Sequence, residues 1–128
     1  MGILKLPIGT EGPIVGVSLS AGKQRKPARL LIDTGSTATI VEADIVAGLG
    51  IAPTDLVWLD GHGGRQQAHR YDVAIYLNDR LWVRSLPILA VPRRVYAVRG
   101  INGVLGRDVL ASTVLIYDGS TGTFTLSF

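Results

Sequence analysis

One carboxylate in this sequence stands where a carboxylate is expensive. Leu30-Leu31-Ile32 is the apolar end of a strand-like run, and Asp33-Thr34-Gly35-Ser36-Thr37 follows it without a spacer. A strand that apolar is buried, so Asp33 sits at its mouth, where a lone acid needs partners or a purpose. Thr34 and Ser36 offer hydroxyls, and Gly35 lets the backbone turn so that an N–H points back at the carboxylate. An acid held in this way can activate water. The same residues also fit an Asx-type turn at a strand end, and the tripeptide alone does not separate the two readings. About seventy residues later, Asn102-Gly103-Val104-Leu105-Gly106-Arg107-Asp108 sets an apolar pair before glycine and leads into a short helix.

Other chemistries lack their residues. The chain has no cysteine, which excludes a thiol nucleophile, a disulfide framework and thiolate metal sites, and leaves the redox compartment open. His62 and His69 are the only histidines, and no third ligand accompanies them for zinc. No metal and no cofactor is expected.

The elements that must hold Asp33 follow from length and pattern. With 128 residues, 47% hydrophobic and 18% charged, the chain is one domain, 1–128, long enough to bury roughly two thirds of its unfolded surface. Sixteen glycines and a single methionine favour turns and strands over helices. Period-two alternation marks a strand at 14–20, and a polar turn at 22–26 leads to the strand 28–32 before Asp33. Residues 37–41 are β-branched, and 42–49 make at most two helical turns, closed by Gly50. A short strand at 56–59, a glycine-rich tip at 60–66 and a long strand at 67–77 form a hairpin. Asn78-Asp79 turns the chain into 81–91, where Pro87 argues for an edge position. Residues 92–102 are a basic loop, 106–112 a brief helix, 114–117 a strand, 118–122 a turn and 123–128 a terminal strand. The sum is an all-β domain with one or two short helices, a small barrel or sandwich.

The formal charge is +3, and ten of the thirteen basic residues are arginines. Arg93, Arg94 and Arg99, and the stretch from Lys23 to Lys26, are not interleaved with aromatics, so no nucleic-acid partner is expected. No apolar stretch reaches membrane-spanning length and no signal-peptide pattern opens the chain. The expectation is a soluble protein, cytoplasmic by default, without a membrane partner.

The order of these parts resembles the single-domain, retropepsin-like aspartic proteases: strand, Asp-Thr-Gly turn, glycine-rich hairpin, then apolar-apolar-Gly-Arg-Asp with a short helix. The resemblance runs from about Ile14 to Phe128. The tip Gly61-His62-Gly63-Gly64 is similar to a GxGG turn of bacterial members, and 125–128 looks like the C-terminal strand with which retroviral enzymes build their dimer interface. The resemblance implies a small closed acid-protease barrel with a flap hairpin, active as a C2 homodimer on polypeptide substrates. Peptide hydrolysis without metal needs one group to deprotonate water and another to protonate the carbonyl oxygen, and two adjacent carboxylates sharing one proton do both. The sequence holds a single Asp-Thr/Ser-Gly, so a second copy must bring the other Asp33. By the resemblance, Asp33, Thr34 and Gly35 are catalytic, with Thr34 bonding across the axis. Ser36, Gly61, His62, Gly63 and Gly64 contact substrate.

Three departures carry expectations of their own. Ser36 stands where retroviral enzymes have alanine and matches pepsin-like enzymes, whose hydroxyl donates to the catalytic carboxylate. That donor would favour an optimum on the acid side of neutral. Thr37 replaces an acid, so Arg107 must turn to Asp108, Asp44 or Asp118, or lie at the surface. The flap tip carries only His62, with no apolar residue, which implies loose closure. The rival from another class is a catalytically idle dimeric module that binds peptides in the same cleft.

Overall fold

The computed structural model describes residues 2–61, 64–77, 82–92, 96 and 100–128. Along them the chain runs β1 (Ile3–Pro7), β2 (Ile14–Ala21), β3 (Gln24–Ile32), β4 (Ile40–Glu42), α1 (Ala43–Ala47), β5 (Asp55–Gly61), β6 (Gly64–Tyr76), β7 (Trp82–Val91), β8 (Gly103–Leu105), α2 (Arg107–Leu110), β9 (Val114–Asp118) and β10 (Thr123–Ser127). The expected turn at Asn78-Asp79 and the arginines 93, 94 and 99 lie outside the described residues.

Six strands close into a barrel in the order β2-β3-β8-β4-β7-β6, with β6 returning to β2 through Ser18↔Tyr76 to Ser20↔Ala74. Alternation decides which side chains fill it: Val15, Val17 and Leu19 of β2 and Ala28, Leu30 and Ile32 of β3 point inward and are buried. Val73, Ile75, Leu86, Ile88 and Leu105 meet them in one core. The register of β6 against β7 shifts between Val73 and Ile75, the irregularity that lets a long strand bend around a small barrel. β5 pairs only with β6, outside the ring.

A second sheet, β1-β10-β9, is antiparallel throughout and covers one end of the core with Leu4, Leu6, Phe124 and Leu126. Its other face carries Ile3, Lys5, Val114 and Ile116. No local pattern in the sequence marks a strand at 3–7. Its alternation is short, but its partner 120 residues away supplies the ladder, and Gly2 and Phe128 exchange backbone hydrogen bonds at its end. The stretch 125–128, which looks like an interface strand of the retroviral enzymes, lies within and just past β10, the middle strand of this sheet, with β1 on one side and β9 on the other.

Other boundaries moved for local reasons. The helix expected at 42–49 is the five-residue α1, because past Gly48 the Leu49 and Gly50 N–H groups bond only three residues back, to Val46 and Ala47, before Gly50 at φ +67° turns the chain away. Only Ile40–Glu42 of the β-branched stretch forms a strand, since Asp33 to Thr39 are held by side chains and backbone elsewhere. β7 is not an edge strand; it lies between β4 and β6. Pro87 is tolerated because β4 is three residues long and pairs with Leu89–Val91, so the β4 side of Pro87 has no ladder to break.

Candidate active site

Asp33 is the first residue past β3. The parallel pairing of Leu30, Leu31 and Ile32 with Gly103, Val104 and Leu105 carries one step further, because the Asp33 N–H donates to the Leu105 carbonyl at 3.0 Å. Asp33 is therefore fixed by the barrel wall before its side chain makes any contact. The carboxylate is half-buried, and its Oδ1 accepts the Gly35 N–H at 2.9 Å. The Ser36 N–H donates to the Asp33 carbonyl at 3.2 Å, closing the turn 33–36. A Cβ on Gly35 would lie 3.2 Å from that Oδ1, so a side chain there pushes directly on the carboxylate. Thr34 and Gly35 are exposed at the tip of the turn, and the Thr34 hydroxyl has no hydrogen bond to a described residue.

Ser36 departs from expectation. Its hydroxyl donates to the Ala38 carbonyl at 2.6 Å instead of to Asp33, and its own carbonyl accepts the Arg107 N–H at 2.8 Å. With N–H, C=O and O–H all engaged inside the chain, Ser36 shapes the loop and gives no proton to the Asp33 carboxylate. The argument for an acid optimum from Ser36 falls with it.

Behind the turn lies a polar lock that the sequence reading missed. Thr39 is fully buried; its N–H donates to Asp108 Oδ2 and its hydroxyl to Asp108 Oδ1, both at 2.8 Å. The Thr39 oxygen in turn accepts the Gly106 N–H at 3.1 Å, and Asp108 Oδ1 also takes the Val109 N–H at 2.8 Å. Two segments 69 residues apart are joined by bonds to an acceptor that is charged when ionised, the stronger kind. Two glycines make room for this approach: a Cβ on Gly103 would run into the Ile40 backbone, and one on Gly106 into the Ala38 carbonyl. No ion pair joins Arg107 to a described residue, and it is exposed, the last of the four placements weighed for it.

The flap is the β5–β6 hairpin, paired from Asp55↔Arg70 to Gly61↔Gly64. Gly64 takes φ +94°, as a tight hairpin end requires, while His62 and Gly63 lie outside the described residues. One face of the hairpin is solvated and laced by Arg65 over the Trp58 ring at 4.6 Å and beside Asp60 at 3.6 Å. The other face sends Val57 and Leu59 onto a small apolar cluster of Ile40, Leu89, Val91 and Val104, which Leu31 and Ala38 also join. The flap arm and the Asp33 loop thus share one patch of packing. His69, on β6, faces Tyr71 at 6.5 Å between ring centres.

In sequence, residues 16–109 match the model of an aspartyl protease family. No curated protein matches the chain. Solved structures agree with the fold at low identity. A retropepsin-like aspartic protease from Rickettsia conorii superposes with a TM-score of 0.66 at 12% identity, over 98% of this chain and 90% of that one. The EIAV protease, solved with the inhibitor HBY-793, gives 0.54 at 18% identity over 78% and 86%. The protease of Simian Foamy Virus (mac) gives 0.52 at 15% over 77% and 91%.

Proposed function

Since the chain belongs to the aspartyl protease family, we propose that it hydrolyses peptide bonds as a C2 homodimer in which each copy contributes one Asp33 to a shared dyad. The observation that carries this reading is the one-sided support of Asp33. Barrel wall and turn fix its backbone and one oxygen, its second oxygen takes no hydrogen bond from the described residues, and the chain has no second Asp-Thr-Gly to face it. A carboxylate built to this degree and left half-satisfied is completed by its own image across a twofold axis.

In that assembly the two carboxylates hold one proton between them, because like charges so close do not both ionise. The charged member takes a proton from a water molecule as the water oxygen bonds to the peptide carbonyl carbon. The protonated member gives its proton to the carbonyl oxygen. The gem-diol then collapses: the protonated carboxyl gives its proton to the amide nitrogen, the C–N bond breaks, and one diol hydroxyl gives its proton to the charged carboxylate, so the dyad again holds one shared proton. Thr34, exposed beside Asp33, is assigned to hydrogen-bond across the axis and keep the two turns from rotating. Gly35 is assigned to close approach of the substrate backbone, and Gly61, His62, Gly63 and Gly64 to the tip that closes over an extended peptide and excludes water. Ser36 acts by holding the loop.

The test is cleavage of a mixed peptide library by wild type and Asp33→Asn between pH 4 and 7. Wild type is expected to cut and the variant to lose at least about 1,000-fold in rate, as removal of a central acid–base group does. Equal cutting by both overturns the assignment. Peptide retention without cutting by either points to the idle binding module.

A further inference from the structure

β8 has no polar side chain of its own, yet side-chain hydrogen bonds bracket it at both ends. At the end nearer Asp33, Thr39 takes the Gly106 N–H. At the far end stands Asn102, the residue just ahead of β8, and all four of its polar groups are engaged. Its N–H donates to the Arg29 carbonyl at 2.7 Å, and its side-chain Oδ1 accepts the Arg29 N–H at 2.8 Å. Asn102 thus exchanges two hydrogen bonds with one residue of β3, its side-chain amide standing in for a backbone peptide. On the opposite flank its carbonyl accepts the Glu42 N–H at 2.8 Å, and its Nδ2 donates to Glu42 Oε2 at 3.4 Å. Glu42 and Thr39 are the two buried polar residues among those described, and they stand at the two ends of β4. A carboxylate left only 5% exposed needs donors, and Asn102 provides the side-chain one.

We propose that Asn102 is a positioning residue for peptide hydrolysis: clamped between Arg29 and Glu42, it fixes the register of β3 against β8 and so the point at which Asp33 leaves the sheet. The inference rests on the protease reading above and names a residue that serves its acid from a distance. The parallel ladder between β3 and β8 is three residues long, Leu30–Ile32 with Gly103–Leu105, and the Asp33 N–H on the Leu105 carbonyl is its upper end. So short a parallel ladder is weakly specified by its own backbone. Asn102 adds two bonds at its lower end, four residues or roughly 13 Å along β3 from Asp33. None of its hydrogen bonds reaches Asp33 or the flap hairpin. The Arg29 guanidinium holds the Gly100 carbonyl at 2.8 Å, so the chain entering Asn102 is tied to the same β3 residue. β4 is three residues long as well, and the Glu42 bonds hold Asn102 from that side. In a symmetric dyad any displacement of Asp33 occurs twice, once in each copy, and a misplacement of about 1 Å costs on the order of 100-fold in rate.

The test compares Asn102→Ala with wild type on one peptide that wild type cuts, and by amide hydrogen exchange in NMR. kcat is expected to fall about 10-fold or more with KM within about twofold, because the substrate contacts stay and only the acid moves. Exchange at the Asp33 N–H should quicken by about 10-fold or more, while the Ile8 N–H, bonded to the Gly122 carbonyl at 2.8 Å in the other sheet, keeps its wild-type rate. The paired change Glu42→Gln with Asn102→Asp keeps an oxygen for the Arg29 N–H and moves the amide donor to position 42, so it is expected to recover both readouts. Asn102→Asp alone sets two carboxylates face to face and is not. If Asn102→Ala fails to fold, Asn102→Ser, whose oxygen stops one bond short of the Arg29 N–H, is read in the same way. Wild-type kcat and wild-type Asp33 exchange in the variant overturn the proposal, as does a rise in KM at constant kcat. Equal quickening at Asp33 and Ile8 overturns it too, since that is general loss of stability. A paired change that recovers no more than Asn102→Asp also overturns it. A wild type that cuts no peptide overturns the protease reading instead, and exchange at Asp33 still decides whether Asn102 holds it.

Discussion

At the scale of single residues, the catalytic candidate was legible and its support was not. Asp33 shows in the sequence because the cost of a carboxylate after three large apolar residues is a local fact. Thr39 and Asp108 do not, because each looks ordinary until the fold brings them together across 69 positions. A buried threonine whose oxygen serves one acid and one backbone N–H has no isosteric substitute. Thr39→Val keeps the shape but leaves the Gly106 N–H and part of the Asp108 carboxylate without partners, at a cost of about 1–3 kcal/mol. The measurement is the urea midpoint at unchanged slope. A loss under about 0.5 kcal/mol would mean that water replaces the hydroxyl and that the lock is ornamental.

At the scale of elements, hydrophobic alternation sufficed for β2, β3, β6 and β10, whose neighbours need one buried face. It failed for β1 and β4, which are three to five residues long and are strands only by virtue of partners far away in sequence. β8 depends on Gly103 and Gly106 in the same sense. Gly106→Ala forces a methyl group into the Ala38 carbonyl, where backbone and not a flexible side chain must yield. A loss of about 1–3 kcal/mol is expected, and since the carbonyls of Ser36 and Ala38 lie on that path, peptide cutting should fall even where the fold survives. Thermal unfolding and specific activity measured on one preparation separate the two effects. The β9–β10 turn provides a control remote from catalysis. Hydrogen bonds to Asp118, first from the Ser120 hydroxyl and then from Thr121, hold that carboxyl below its ordinary value of 3.8. A lowered folded-state value gives stability that is present above the ordinary range and is lost as pH falls through the lowered one. Ser120→Ala should raise the Asp118 titration midpoint in NMR toward the ordinary value. An unmoved midpoint would show that the backbone donors suffice.

At the scale of the molecule, the closed barrel explains how a site is placed without helices to carry it. Asp33 leaves the ring where β3 and β8 run parallel, the flap leaves it where β6 outgrows its partners, and the small cluster under Val57 and Leu59 ties the two departures together. A terminal strand could be read from its alternation, but its place in the middle of a sheet depends on both chain ends meeting, which no local pattern records. That arrangement bears on what happens at high concentration. Of the edges the two sheets leave open, β1 is guarded by Lys5 and Pro7, whereas β9 leaves Val114 and Ile116 exposed and β5 leaves Leu56 and Trp58. Crowded copies are therefore expected to meet first along β9 or β5 and last along β1.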